Sequence, residues 1–264
     1  MKKKFDFWVW MVKKDKFFIW LGYAIRGVRT LWGWKFRKWT NEGKKKIAQM
    51  QANGRDMLIV LNGPSIAKQP LERAARTDCD VVFVNQGFRH PAYKIIQPKY
   101  HVFVDTKLIH GIWDIKWLDE ILEMVPNITF VMPAEWGNLD LFKPYKERGV
   151  SFLWVTEGYD HGVSGCMFKL AFDLGYKNIY FTGYEGTAFP SALIKQASHF
   201  YGTDPDEETM SPETIMKIYL MNAKHFRAAI ETAEIAKRKG INLVNLTEGG
   251  IMDMFNRKKF DAVF

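Results

Sequence analysis

Cysteine is scarce, with only Cys79 and Cys166 in 264 residues. The pair forms no metal-ligand spacing, so no thiolate metal centre is expected, and the scarcity fits a reducing cytosol. Long apolar runs are missing too. In the first 46 residues the longest uncharged run, Phe17 to Ile25, has nine residues, against about 20 for a membrane-spanning helix. No small-residue cleavage site follows it and basic residues continue beyond it, so a secretory signal is not expected. Neither an internal repeat nor a low-complexity segment is present.

Acidic residues are the scarce class in that same segment. Residues 1–46 carry fourteen Lys and Arg against Asp6, Asp15 and Glu42, a surplus of eleven, and the whole chain is +9. The remaining 218 residues are therefore close to neutral at −2, and the basic balance is local rather than a property of the body. Six of the ten tryptophans, Trp8, Trp10, Trp20, Trp32, Trp34 and Trp39, lie in the same stretch. Interleaved aromatic and basic residues suit an anionic lipid surface, where each cation contributes roughly 1 kcal/mol. Residues 1–46 are thus expected to form an arm lying on the membrane, and nucleic acid is not expected as a partner.

From residue 47 onward, short apolar runs alternate with helical patterns. Strands are expected at 57–61, 81–84, 101–104, 128–131, 152–155, 179–182 and 243–246, and helices at 70–76, 112–124, 164–174 and 212–239. This alternation predicts one α/β domain of Rossmann-like type over 47–264, with a mainly parallel sheet and helices on both faces. In the last helix Ser211 can cap, Pro212 suits the first position and Gly240 can stop it. Ile215, Tyr219, Ala223, Phe226, Ile230 and Ala233 are expected to form its core face. Residues 184–210 lack a period and read as a lid.

The first expected strand stops on Asn62-Gly63-Pro64-Ser65. Gly63 allows close backbone approach, Pro64 fixes the turn, and Asn62 and Ser65 offer short polar groups. No alternating strand follows, which argues against a hairpin and for a ligand crevice at a strand end. Other polar residues stand at further strand ends: Asn85 with Gln86, Asp105 with Thr106, and Tyr184 with Glu185. Ser164-Gly165 opens a helix whose free backbone donors suit phosphate or carboxylate. In the lid, His199 is the candidate general base, and His161 is a weaker candidate for binding substrate. Asp204-Pro205-Asp206 resembles a paired-aspartate metal clamp, but acidic residues ahead of a helix are common and no metal is expected.

Taken in order, Asn62-Gly63-Pro64-Ser65, Val84-Asn85-Gln86, Val102-Phe103 with Asp105, Ser164-Gly165, Leu174 to Gly183 (LGYKNIYFTG) and Ser198-His199-Phe200 resemble the bacterial CMP-sialic-acid-dependent sialyltransferases of lipooligosaccharide, over roughly 57–255. The resemblance implies an inverting, metal-independent glycosyl transfer with no cofactor besides the CMP-sugar donor. His199 stands at the position of the base. Asn62, Gly63, Ser65, Asn85, Gln86, Asp105, Ser164, Gly165 and Tyr184 fall at or beside donor-binding positions, and His161 faces the acceptor. The chain departs from the pattern where Asp105 replaces an asparagine, where His161 replaces an arginine, and where Thr187 and Phe189 replace two lid tyrosines. Tyr184 or Tyr201 could substitute for the latter. The run Asn245-Leu246-Thr247-Glu248-Gly249-Gly250 is similar to a segment of flagellin-modifying factors and of a pterin pyrophosphokinase.

The expectation is a glycosyltransferase on the cytoplasmic face of the inner membrane, acting on a cell-envelope glycan or glycolipid, with homo-oligomer formation left open. A pyrophosphokinase-like enzyme and a non-catalytic envelope-assembly protein are the alternatives.

Overall fold

The computed structural model describes residues 36–76, 78–155, 162–187, 197, 199–202 and 211–264. Strands β1 (Asp56–Val60), β2 (Cys79–Val84), β3 (Tyr100–Val102), β4 (Thr129–Pro133), β5 (Ser151–Val155), β6 (Asn178–Thr182), β7 (Asn242–Asn245) and β8 (Asn256–Arg257) form one sheet. Its order is β5-β4-β3-β2-β1-β6-β7-β8. Every pairing is parallel. All seven expected strands are present. The two-residue edge strand β8 has no apolar pattern to announce it.

Alternation along each strand divides the core between the two faces. Leu58, Val60, Phe83, Phe130, Phe152 and Trp154 look to one side. Met57, Ile59, Val82, Val102, Leu153, Ile179 and Phe181 look to the other. Both faces must be covered, which is why β1 and β2 are apolar without alternation over Met57 to Val60 and Val81 to Val84. Helices α2 (Tyr93–Ile96) and α3 (Trp117–Met124) cover the first face, and α5 (Gly162–Asp173) and α6 (Pro212–Arg238) the second. A short α4 (Lys143–Glu147) precedes β5.

Helix α1 (Arg37–Gln49) begins inside the basic segment and seals the β5 edge. The stripe Trp39, Gly43, Ile47 recurs every four residues, as one helix face does. At Gly43 the backbones come so close that a β-carbon would stand 1.9 Å from the Trp154 carbonyl oxygen. Lys46 Nζ donates to the Phe152 carbonyl at 2.8 Å. The Trp39 indole donates to Asn138 Oδ1 at 2.8 Å and its ring lies 5.3 Å from that of Trp154. An exposed strand edge invites foreign pairing, and here its carbonyls are covered.

Helix α6 corrects the expected stripe. Its core face is Phe226, Ala229, Ala233 and Ala236, whereas Tyr219 and Ile230 are exposed at 52% and 46%. The 27-residue helix is much longer than the strands it packs on, so apolar residues in its first half lie beyond the sheet. Among the described residues, no helix is long and apolar enough to cross a membrane.

Candidate functional site

Sequence order reverses between β1 and β6: strands β1 to β5 step one way across the sheet, β6 to β8 the other. Open parallel sheets bind ligands at the carboxyl ends of strands beside such a reversal. The ends that meet there are Asn62-Gly63-Pro64-Ser65 and Gly183-Tyr184-Glu185. Leu61 N–H donates to the Thr182 carbonyl at 2.9 Å and Gly63 N–H to the Gly183 carbonyl at 3.0 Å, which carries the pairing past the strands. Ser65 N–H donates to Glu185 Oε1 at 2.9 Å. A β-carbon on Gly63 would fall 1.5 Å from Glu185 Oε2 and 2.6 Å from the Gly183 oxygen, so only glycine fits.

Asn62 extends this junction to β2, its Nδ2 donating to the Val84 carbonyl at 3.2 Å. Asn62 Oδ1, Ser65 Oγ and Asn85 Oδ1 are buried and have no hydrogen-bond partner within the protein. Buried polar atoms are almost always paired, so three such oxygens at two adjacent strand ends mark a place prepared for a ligand. Asn85 adopts a left-handed backbone, φ 47°, which asparagine tolerates better than most residues. His101 steadies it: Nε2 donates to the Asn85 carbonyl at 2.9 Å, and the Tyr93 hydroxyl lies 2.9 Å from Nδ1. A carbonyl can only accept, so the proton is on Nε2 and Tyr93 donates to Nδ1. Burial pushes the His101 pKa down to about 3, against the opposing pull of the Asn85 bond.

The lid residues that are described reach the same place. Phe200 N–H donates to the Asn62 carbonyl at 3.0 Å. The Phe200 ring meets His90 edge-on at 5.4 Å, and His90 is buried with Nε2 3.2 Å from the Ile66 carbonyl. His199 and Gly202 exchange backbone bonds of 3.2 and 3.1 Å across a tight turn. The His199 imidazole stacks on Tyr201 at 4.9 Å. His199 is therefore one residue from a backbone bond to the Asn62 turn.

A second group adjoins the first. Tyr184 N–H donates to Thr247 Oγ1 at 3.1 Å. Burial raises the Tyr184 pKa, opposed by a hydrogen bond to the Ser164 side chain. Helix α5 starts at Gly162, so Ser164 lies inside its first turn, is 8% exposed, and faces Tyr184. Gly165 follows in the same turn.

Two other candidates sit in the turns after β3 and β2. Asp105 Oδ1 accepts the Lys107 N–H at 3.0 Å, so the carboxylate serves its own turn. Gln86 is 6% exposed in the turn after β2. His161, Ser198, Phe189, Asp204 and Asp206 lie outside the described residues, as does most of the 184–210 segment and all of residues 1–35. Among the described residues, no group of three or more His, Cys, Asp and Glu is placed to hold a metal ion.

Glu185, Thr247 and His90 complete the site without having been assigned a part from sequence. Glu185 is marked there only as a strand-end residue. Thr247 belongs to the Asn245 to Gly250 run, which returns to this rim: Ile251 N–H donates to the Glu185 carbonyl at 2.8 Å. The amino ends of the strands serve stability instead, with Asp80 near the start of β2 accepting from Arg55, Lys99 and Tyr176 at 2.8, 2.7 and 2.5 Å.

No family model and no curated protein matches the chain. Solved structures do. The sialyltransferase CST-II in complex with trisaccharide acceptor and CMP is 17% identical, with 77% of this chain and 86% of that chain covered and a TM-score of 0.45. The sialyltransferase CstII from Campylobacter jejuni in complex with a substrate analogue, cytidine-5'-monophosphate, is 14% identical, with 77% and 84% covered and a TM-score of 0.42. The MAf glycosyltransferase from Magnetospirillum magneticum AMB-1 is 13% identical over 80% of this chain, with a TM-score of 0.50, and this chain spans 34% of its length. At these identities the likeness is one of fold, an α/β domain of the kind seen in MAf glycosyltransferase.

Proposed function

We propose that the protein is a glycosyltransferase of sialyltransferase type, moving sialic acid or a similar acidic sugar from a CMP-activated donor to a cell-envelope glycan such as lipooligosaccharide. The observation that carries this reading is the trio of partnerless oxygens, Asn62 Oδ1, Ser65 Oγ and Asn85 Oδ1, beside the backbone bond between Asn62 and Phe200. Neutral acceptors and amide donors at the end of β1 suit a nucleoside's hydroxyls and base edge. The acids nearby are already engaged, Glu185 by Ser65 N–H and Asp105 by Lys107 N–H.

In this scheme the acceptor hydroxyl gives its proton to the His199 imidazole as its oxygen bonds to the anomeric carbon. The bond from that carbon to the CMP phosphate oxygen breaks, CMP departs with the electron pair, and the configuration inverts. The departing phosphate gains charge, and in this scheme the Ser164 and Tyr184 hydroxyls and the first turn of α5 would donate to it, with no metal or cofactor called on. Residues 1–46, of which 37–46 belong to α1, would hold the enzyme on the cytoplasmic face of the inner membrane beside a lipid-linked acceptor. Thermal shift and saturation-transfer NMR test the donor. CMP should stabilise the protein; binding of another nucleotide with none of CMP overturns the assignment.

A further inference from the structure

We infer that the first half of α6 is a second membrane contact, which together with the arm turns the crevice toward an anionic bilayer. The inference deepens the membrane part of the preceding reading and does not depend on the donor. Helix α6 runs antiparallel to the strands, because its C-terminal end leads through Gly240 directly into the start of β7. His225 packs on Gly162, 3.0 Å from where a β-carbon would sit, so α6 passes the start of α5 at that level. Helix α5 descends from the β5 end, and its first turn marks the crevice rim. Residues 212–224 therefore project past the rim, by about 20 Å at 1.5 Å per residue.

The projection is apolar where solvent would be expected. Met216, Tyr219, Leu220 and Met221 are 60, 52, 57 and 45% exposed. Met216, Tyr219 and Leu220 recur at spacings of three and four on one helix face, and an exposed apolar face marks an interaction surface. What covers it follows from where the rest of the chain joins. Helix α1 is antiparallel to β5, since Gly43 lies on Trp154, Lys46 on Phe152 and Trp39 beside Asn138 after β4. Its first residue is thus at the same rim, and the 35 residues preceding Phe36 carry nine Lys and Arg, two acids and five tryptophans. At the rim, then, the described start of α1 stands beside β5 and the first half of α6 passes the start of α5, the helix whose first turn faces the crevice. The start of α1 and the first half of α6 both stand at this rim, and two contacts fix the tilt of a domain as one alone cannot. Apolar side chains plus a basic segment are the combination that binds anionic interfaces.

The test uses the full chain with vesicles of phosphatidylglycerol and phosphatidylcholine. Both native cysteines are buried, so an environment-sensitive dye on Leu220→Cys reports from the projection. Its emission should shift to the blue on anionic vesicles. The triple variant M216S/L220S/M221S should lose at least tenfold in vesicle affinity while its thermal shift with CMP is unchanged. The inference is overturned by an unshifted dye on protein that sediments with vesicles, by full affinity in the triple variant, or by absence of vesicle binding in the parent. It is equally overturned by a dye shift that grows with protein concentration and ignores lipid, the signature of a second copy on this face. A parent that binds vesicles but not CMP would sink the donor assignment and leave this inference standing.

Discussion

The carboxylate of Glu185 accepts the backbone N–H of Ser65 at 2.9 Å, and its other oxygen fills the space a side chain at residue 63 would need. The two strands flanking the topological reversal are thereby locked together at the point where the crevice opens. The turn after β1 owes its shape to a residue 120 positions away.

Gly63→Ala should cost about 1–3 kcal/mol by overpacking. Glu185→Ala should cost about as much by leaving the Ser65 N–H unpaired. The double variant should be less destabilised than the sum, because the second change removes the nearer of the two groups the first collides with, leaving the Gly183 carbonyl. Denaturant unfolding of all four proteins checks this; strict additivity would deny the contact.

His199→Ala should lower transfer by about 10²–10⁴-fold, the usual contribution of a general base. CMP affinity should stay within a factor of two or so, since the imidazole faces the acceptor in the proposed scheme. Radiolabelled transfer and calorimetry separate the two, and an active variant would remove His199 from the mechanism.

Asn85→Gly should keep the fold, because glycine accepts the left-handed backbone at φ 47°. It removes the unpartnered Oδ1, and CMP affinity should fall about tenfold, the worth of one hydrogen bond in a dry site. Unchanged affinity would mean that Asn85 contributes backbone only.

Acid should destabilise the protein through His101, whose pKa is lowered in the fold to about 3 from an ordinary 6.5. Between those values the unfolded chain binds the proton and the folded one does not, so stability is full above pH 6.5 and declines as pH falls toward 3. The slope is about 1.4 kcal/mol per pH unit for one proton. Unfolding free energies from pH 7 to 4 should show it, and His101→Gln should flatten this part of the curve, Tyr93 OH and the Asn85 carbonyl being the groups its amide would face.

Gly43→Ala should loosen α1, because the new methyl would stand 1.9 Å from the rigid Trp154 carbonyl. A loss of about 1–3 kcal/mol is expected, together with faster aggregation once the β5 edge is bare. Thermal melts with light scattering follow both.

Strands β1 to β7 are legible in the sequence because a parallel sheet covered on both faces demands unbroken apolar runs, and Met57 to Val60 or Val81 to Val84 could be little else. The Asn62-Gly63-Pro64-Ser65 turn is legible for the same reason, as polar and bend-forming residues at the end of such a run. Helix α1 is not: its residues are mostly polar or charged, and its apolar stripe toward the protein is no more than Trp39, Gly43 and Ile47. Nor is the true core stripe of α6, since Tyr219 and Ile230 fall on as good a helical period as Phe226 and Ala233. Which apolar residues are covered depends on where the sheet ends, and that is a three-dimensional fact.

The amino-acid order by itself determined the layer pattern, the strand ends and the residue types available at them, because secondary structure and burial follow from local periodicity. Only the tertiary structure decided that Ser65 meets Glu185, that Asn62 meets Phe200, that Tyr184 meets Ser164, and that Asp105 is spent on its own turn. The first two pairings depend on the crossing of the chain from β5 over to β6, which sets side by side segments more than a hundred residues apart and leaves no trace in local sequence.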